Sequence, residues 1–171
     1  MSKKTIKDSG RIKTHYIVED FLGDFKERPV DVEPIRRQEF EHNCLLNEGI
    51  TELLTLACST GATKFDATNA YTGVGDDDTA AVATQTGLQA AANAGTHRLW
   101  KGMDSTYPII TSQTVTFRST FGTSEANFNW KEATIVNAST DAGKNLNRKV
   151  QAMGTKTSAV SRVITIAITV A

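Results

Sequence analysis

Apolar and polar residues alternate most regularly between Thr114 and Trp130. Val115, Phe117, Ser119 and Phe121 fall on one side, and Thr114, Thr116, Arg118 and Thr120 on the other. After Gly122-Thr123-Ser124 the alternation resumes, with Ala126, Phe128 and Trp130 set against Asn127 and Asn129. A period of two sends successive side chains to opposite faces of a sheet. The stretch therefore predicts two antiparallel strands joined by a short turn, each with one face on a core. Arg162 to Val170 is the clearest strand, with Ile164, Ile166, Ile168 and Val170 on one face and Val163, Thr165, Ala167 and Thr169 on the other. Its β-branched content suits a pleated surface, and two apolar faces predict a central or doubly covered position. Further strands are expected at Thr14–Val18, Tyr71–Val74, Lys131–Asn137 and Leu146–Met153. The period changes in one place. Ile50, Leu53, Leu54 and Ala57 repeat at i, i+3, i+4, i+7, the stripe of a core-facing helix, with Asn47 as N-cap, Glu48 in the first turn and Gly61 as the stop. A short helical turn after Asp78, capped by the aspartates, is also expected. The fold class expected is mainly β: an antiparallel β-sandwich or barrel-like body over residues 43–171, with one short α-helix and an extended N-terminal arm.

Residues 1–42 carry few apolar positions for their length. Met1 to Lys13 is polar and charged, and Val30 and Val32 alternate with Asp31 and Glu33 between Pro29 and Pro34. Such a segment buries too little apolar surface to offset its ordering entropy alone. Two arrangements fit: an arm laid across a partner, or edge strands added to the body's own sheet. In the first, Tyr16, Phe21, Phe25, Val30, Val32, Arg36 and Arg37 are the contact residues.

Charge narrows the partners. Lys and Arg total 19, as do Asp and Glu, so the formal net charge is zero. The basic excess that accompanies nucleic-acid binding is missing, and no apolar run approaches the roughly 20 residues of a membrane span. Neither nucleic acid nor membrane is an expected partner, and the basic N-terminus lacks the hydrophobic segment of a secretory signal. Cys44 and Cys58 lie in apolar surroundings without metal or redox spacing and read as buried free thiols.

The residues that tempt a chemistry do not assemble one. In GVGDDD, Gly73 to Asp78, the glycines lack the phosphate-binding pattern and the aspartates lack the alternation of a calcium loop. His15, His42 and His97 share no ligand spacing, and no nucleophile elbow occurs. No metal, cofactor or catalytic residue is expected. Arg118, Lys131 and Arg148 read as rim charges or partner contacts. Asn127, Asn129, Asn137, Asn145 and Asn147 suit hydrogen bonds to a neighbouring chain or to solvent.

The order NCLLNEGITELLTLACSTG, KFDATNAYTGVGDDDTAA, TQTGLQAA, KGMDSTYP, ANFNWKEATIVNAS, NLNRKV with GTKTS, and a closing apolar strand resembles a family of tailed-bacteriophage virion structural proteins. Its members are labelled tail-fibre-like, minor tail or head-decoration proteins. The likeness runs from Asn43 to Val170. It departs from the family at Gly75-Asp76-Asp77-Asp78, where members carry GVGDS, and at Arg162 or Val163, where Trp is common. The resemblance implies a β-rich structural module without enzymatic activity. A capsid decoration (cement) protein bound to the head shell is the leading expectation, located in the virion after synthesis in the host cytoplasm, with the major capsid protein or tail proteins as partners and homo-oligomers in the particle. A tail or baseplate component, such as a minor tail protein or fibre adaptor, is the alternative. A glycan-binding β-sandwich is a third reading, and it calls for exposed aromatics.

Overall fold

A computed structural model describes residues 11–92 and 95–171. The chain forms a mainly β structure of two antiparallel five-stranded sheets and one helix. In chain order the elements are β1 (Ile12–Leu22), β2 (Arg36–Glu41), β3 (Cys44–Leu45), α1 (Asn47–Cys58), β4 (Tyr71–Gly75), β5 (Arg98–Gly102), β6 (Ile109–Thr111), β7 (Thr114–Phe121), β8 (Asn129–Val136), β9 (Asn147–Thr155) and β10 (Val160–Val170). One sheet, sheet A, runs β2-β1-β10-β7-β6, and the other, sheet B, runs β3-β9-β8-β4-β5.

The strand period fixes which side chains meet between the sheets. Tyr16 and Val18 from β1, Phe117 and Phe121 from β7, and Ile164, Ile166 and Ile168 from β10 point inward from sheet A. Val74, Trp130, Ala133, Ile135 and Met153 meet them from the side of sheet B. Trp130 is wholly buried, lies edge-on to Phe121 with ring centres 4.8 Å apart, and donates its indole N–H to the Ala126 carbonyl at 2.9 Å. That bond removes the cost of burying an indole donor. β10 takes the central place its two apolar faces predict, between β1 and β7.

Three local expectations are corrected. β7 and β8 alternate as predicted, yet they do not pair with each other; β7 lies in sheet A and β8 in sheet B. The chain between them crosses the core, aided by Ala126 at φ 50°. Alternation reports the face of a strand and says nothing of its partner. Second, no helical turn follows Asp78; Asp77 instead accepts the Thr79 amide at 2.7 Å, closing a local turn. Third, α1 forms where the period places it, but Ile50, Leu53 and Leu54 are 40%, 43% and 61% exposed. Its N-cap is Leu46, with no side-chain cap bond. The helix sits on the body through Gly49, where a Cβ would collide with the Leu146 backbone, and through its two carboxylates. Glu48 accepts the Asn145 amide at 2.7 Å, and Glu52 accepts the Thr63 amide at 2.8 Å and Asn137 Nδ2 at 3.0 Å. The polar anchors face the body and the apolar stripe faces out.

The expected arm is placed in part. Residues 1–10 lie outside the described residues. Ile12–Leu22 is an interior strand paired along its whole length with β10, and Arg36–Glu41 is the outer strand beside it. The Pro29–Pro34 segment is not a strand but part of the loop, residues 23–35, that joins them.

Candidate functional site: two contact surfaces

The charged residues of greatest chemical interest are held in buried ionic staples. Arg162 points inward from β10, clasps Asp20 through Nε and Nη2 at 2.6 and 2.9 Å, and donates to the Gly154 carbonyl of the opposite sheet at 2.8 Å. Its guanidinium also lies over Trp130, 4.9 Å from the ring centre. Arg148 is fully buried, which corrects its reading as a rim charge. It pairs with the equally buried Glu132 at 2.6 Å and donates to the Thr79 carbonyl at 2.8 Å. Glu132 in turn accepts the amides of Gln89 and Ala90 at 3.0 and 2.8 Å. Burial pushes the Glu132 carboxyl above its ordinary range, while the two amides and Arg148 oppose that shift. The pair thus pins the long loop between β4 and β5 onto sheet B at Thr79 and at Gln89–Ala90. Asn145 and Asn147, expected at a neighbouring chain or in solvent, are buried and bonded within the chain. Asn147 accepts the Ile135 amide at 2.9 Å and donates to the Tyr16 hydroxyl at 2.8 Å.

Lys156 is another buried cation. Its ammonium donates to the Gly122 carbonyl at 2.7 Å and to Asn127 Oδ1 at 2.9 Å, so it ties the β9–β10 turn to the crossing between the sheets. Desolvation, aided by the nearby Arg162, lowers its pKa to about 8. Asp76 and Asp78 pair with His97 and Lys131 at 2.6 and 2.9 Å. Among the described residues no group of three or more His, Cys, Asp or Glu side chains is placed to hold a metal. No described helix is long and apolar enough to cross a membrane.

Among the described residues, two surfaces gather several exposed apolar side chains. The first is the loop of residues 23–35. It folds back over the outer face of β1 and covers Phe21 and Glu19. Arg28 binds Glu19 bidentately at 2.7 and 3.0 Å and lies 5.4 Å from the Phe21 ring centre. Phe25 meets Phe21 edge-on at 6.4 Å, and its amide donates to Ser161 Oγ at 2.8 Å. Asp24 accepts the Thr123 amide at 2.7 Å, and Glu27 accepts the Ser105 hydroxyl at 2.8 Å. Hydrogen bonds from Arg28, and more weakly from Arg37, hold the Glu19 carboxyl below its usual range. The loop is fastened at both ends and in the middle, yet Val30, Val32 and Ile35 stand 80%, 44% and 58% exposed.

This geometry sorts the residues expected to contact a partner. Tyr16 and Phe21 are wholly buried, Tyr16 between the sheets and Phe21 under the loop, so neither belongs to a contact surface. Phe25 is half-buried against Phe21. Arg36 reaches the Met153 carbonyl of sheet B at 2.9 Å, and Arg37 bridges Glu19 and Glu39 at 2.8 and 2.9 Å. Val30 and Val32 alone among the seven are apolar and exposed together.

The second surface is an open groove of about 690 Å³ at the end of the sandwich where β1 starts and β10 ends. Helix α1 forms one wall with Ile50, Leu53 and Leu54. Sheet A forms the other with Ile12, Ile110 and Val170. The stripe that marked α1 in the sequence contributes to this groove; its inversion was not legible there. Cys58, expected to be buried, is exposed at the end of the helix, and Cys44 is half-buried. A smaller depression of about 540 Å³ on the outer face of sheet A is lined mostly by polar and charged residues, among them His15, which pairs with Glu39 at 2.9 Å. Comparisons with protein-family models, with curated proteins and with solved structures each return no match.

Proposed function

We propose that this chain is a non-enzymatic structural protein of a bacteriophage virion: a decoration protein that binds the head shell through the loop of residues 23–35. The observation that carries the reading is the fastened loop. Val30, Val32 and Ile35 are held outward on backbone that is already ordered by Arg28, Asp24 and Phe25. An ordered presenting loop loses little entropy when a partner covers it. The resemblance of residues 43–170 to virion structural proteins supplies the particle. The ionic staples agree with a structural role, since each joins separate segments of one sandwich.

Attachment then depends on an apolar contact made by Val30 and Val32. The test is a Val30→Asp, Val32→Asp double variant, produced in infected cells and counted per purified particle by quantitative mass spectrometry. Hundreds of wild-type copies and a loss of at least tenfold in the variant, with its melting temperature unchanged, support shell decoration through this loop. A handful of wild-type copies places the protein in the tail. Normal incorporation of the double variant overturns attachment through the loop.

A further inference from the structure

We infer that the apolar groove between α1 and β6 is a self-association surface, filled by a second copy of this chain about a twofold axis. Three observations lead there. The first is the inverted helix. Both charged residues of α1, Glu48 and Glu52, are consumed by bonds to the body, so Ile50, Leu53 and Leu54 face out with no charge among them. An exposed apolar stripe of this kind needs cover.

The second is the contrast among the sheet edges. An open edge invites pairing, and proteins guard it with charge or by keeping it short. β2 carries Arg36, Arg37, Glu39 and Glu41; β5 carries Arg98 and Lys101; β3 is two residues long. β6, Ile109-Ile110-Thr111, is short but carries no charge, and its Ile110 is 77% exposed. Among the described residues, the one outer strand without a charged side chain or a two-residue length borders the groove, as the short β3 does through Leu45.

The third is charge. A twofold contact sets a surface against itself, so any net charge near the axis meets its own sign. Among the described residues, none of those lining the groove is charged. A surface built for a different partner has no such requirement, and polar or charged groups commonly fix its register. Residues 1–10 are a poor occupant, since Met1 and Ile6 are their only large apolar side chains and Lys3, Lys4 and Lys7 stand among them. Ile12, Leu54, Ile110 and Val170 are 49%, 61%, 77% and 58% exposed, and with Leu53 and Ile50 they form the apolar centre of a patch. A standard interface needs about 800 Å² per partner around such a centre.

The inference does not depend on a virion location and uses a different face from the 23–35 loop. The experiment is sedimentation velocity of the full chain across about 1–100 µM, with Leu54→Glu, Ile110→Glu and the Val30→Asp, Val32→Asp pair beside it. The wild type should sediment as twice its 18.5 kDa mass. Leu54→Glu and Ile110→Glu should each weaken the dimer by roughly 30-fold or more, as loss of a central contact does. Their melting at equal dilution should match the dilute wild type, because both side chains are exposed. The valine variant should remain a dimer. A wild type that stays monomeric throughout overturns the inference, as does a dimer indifferent to both groove substitutions. A full-length monomer that pairs only after removal of residues 1–10 also overturns it and assigns the groove to the chain's own segment.

Discussion

Replacing Glu132 with Gln tests the staple that holds the β4–β5 loop on sheet B. The substitution keeps the volume, so no cavity term enters. It removes the carboxylate that faces Arg148 Nε at 2.6 Å, and either leaves a neutral oxygen there or turns an amide donor toward a guanidinium donor. Both side chains are fully buried, so Arg148 keeps only Asp77, 3.6 Å from Nη2, to balance a charge held away from water. Breaking one partner of a buried pair costs about 3–5 kcal/mol. For a chain of this size that corresponds to a fall in Tm of about 10 °C. Arg148→Met should cost a similar amount, since it strands Glu132 and also releases the Thr79 carbonyl. The double variant should lose clearly less than the two single losses combined, because removing both charges removes the stranded one. The assay is thermal and urea unfolding of all four proteins, with limited proteolysis as a local readout. Cleavage within residues 76–92 should accelerate in both single variants before global unfolding. Single variants within about 1 kcal/mol of wild type, or losses that add, would refute the claim that this pair acts as one staple.

Ile166→Ala, at a fully buried position of the central strand, should cost about 2–5 kcal/mol in urea unfolding. Gly49→Ala should destabilise by about 1–3 kcal/mol despite alanine's better helix propensity, because its Cβ meets the Leu146 backbone; a neutral or stabilising result means the helix is not seated through Gly49. The Glu19 carboxyl is held below its ordinary value in the folded chain, so its contribution is complete above the unfolded value and is lost as pH falls through the lower folded one. Acid titration should therefore loosen residues 23–35, read by pepsin cleavage within them, and Glu19→Gln should loosen them already at neutral pH, read by tryptic cleavage after Lys26. The Lys156 pKa near 8 gives the same sign in an alkaline window: between about 8 and the ordinary lysine value the unfolded chain binds the extra proton, so this residue makes stability rise with pH there. Lys156→Met should lack that rise, so the difference between the wild-type and variant pH–stability curves should display it.

Side-chain alternation was enough to read β1, β4, β7, β8, β9 and β10 and their faces, whereas β2, β3, β5 and β6 are short or charged and passed unread. Phe117, Phe128, Trp130, Ile164 and Ile166 all lie in the core that their positions indicate. Alternation could not say that β7 and β8 belong to different sheets, because facing and pairing are set by different parts of the residue. The buried charges left a trace: Arg162 stands two positions before Ile164 on the inward face, and Asp20 two after Val18. Their registry with core residues, Asp20 opposite Arg162, is visible only once β1 and β10 are paired. The helix was legible and its orientation was not. A 3.6 period identifies an apolar stripe, whereas the seat of α1 is a glycine and two carboxylates whose partners, Asn137, Asn145 and Thr63, lie outside the helix. For the contact surfaces, the exposure of Val30 and Val32 follows from the Arg28–Glu19 clasp beneath them, a contact between segments that local pattern does not encode.

The pairing of β1 with β10 joins the two extremes of the described chain, Ile12 opposite Val170 and Leu22 opposite Val160. The middle of sheet A therefore closes the longest loop the described chain can make, and the loss of chain entropy on closure precedes the gain from packing Tyr16 and Val18 against Ile164 and Ile166. β8 and β9 are neighbours in sequence and can pair with far less of that loss. Folding should begin in sheet B and finish in sheet A. On the ribosome β1 emerges first but waits for β10 before its principal partner exists. In that interval an 11-residue strand with an apolar face is available to other chains, which makes synthesis rate and chaperone access determinants of yield.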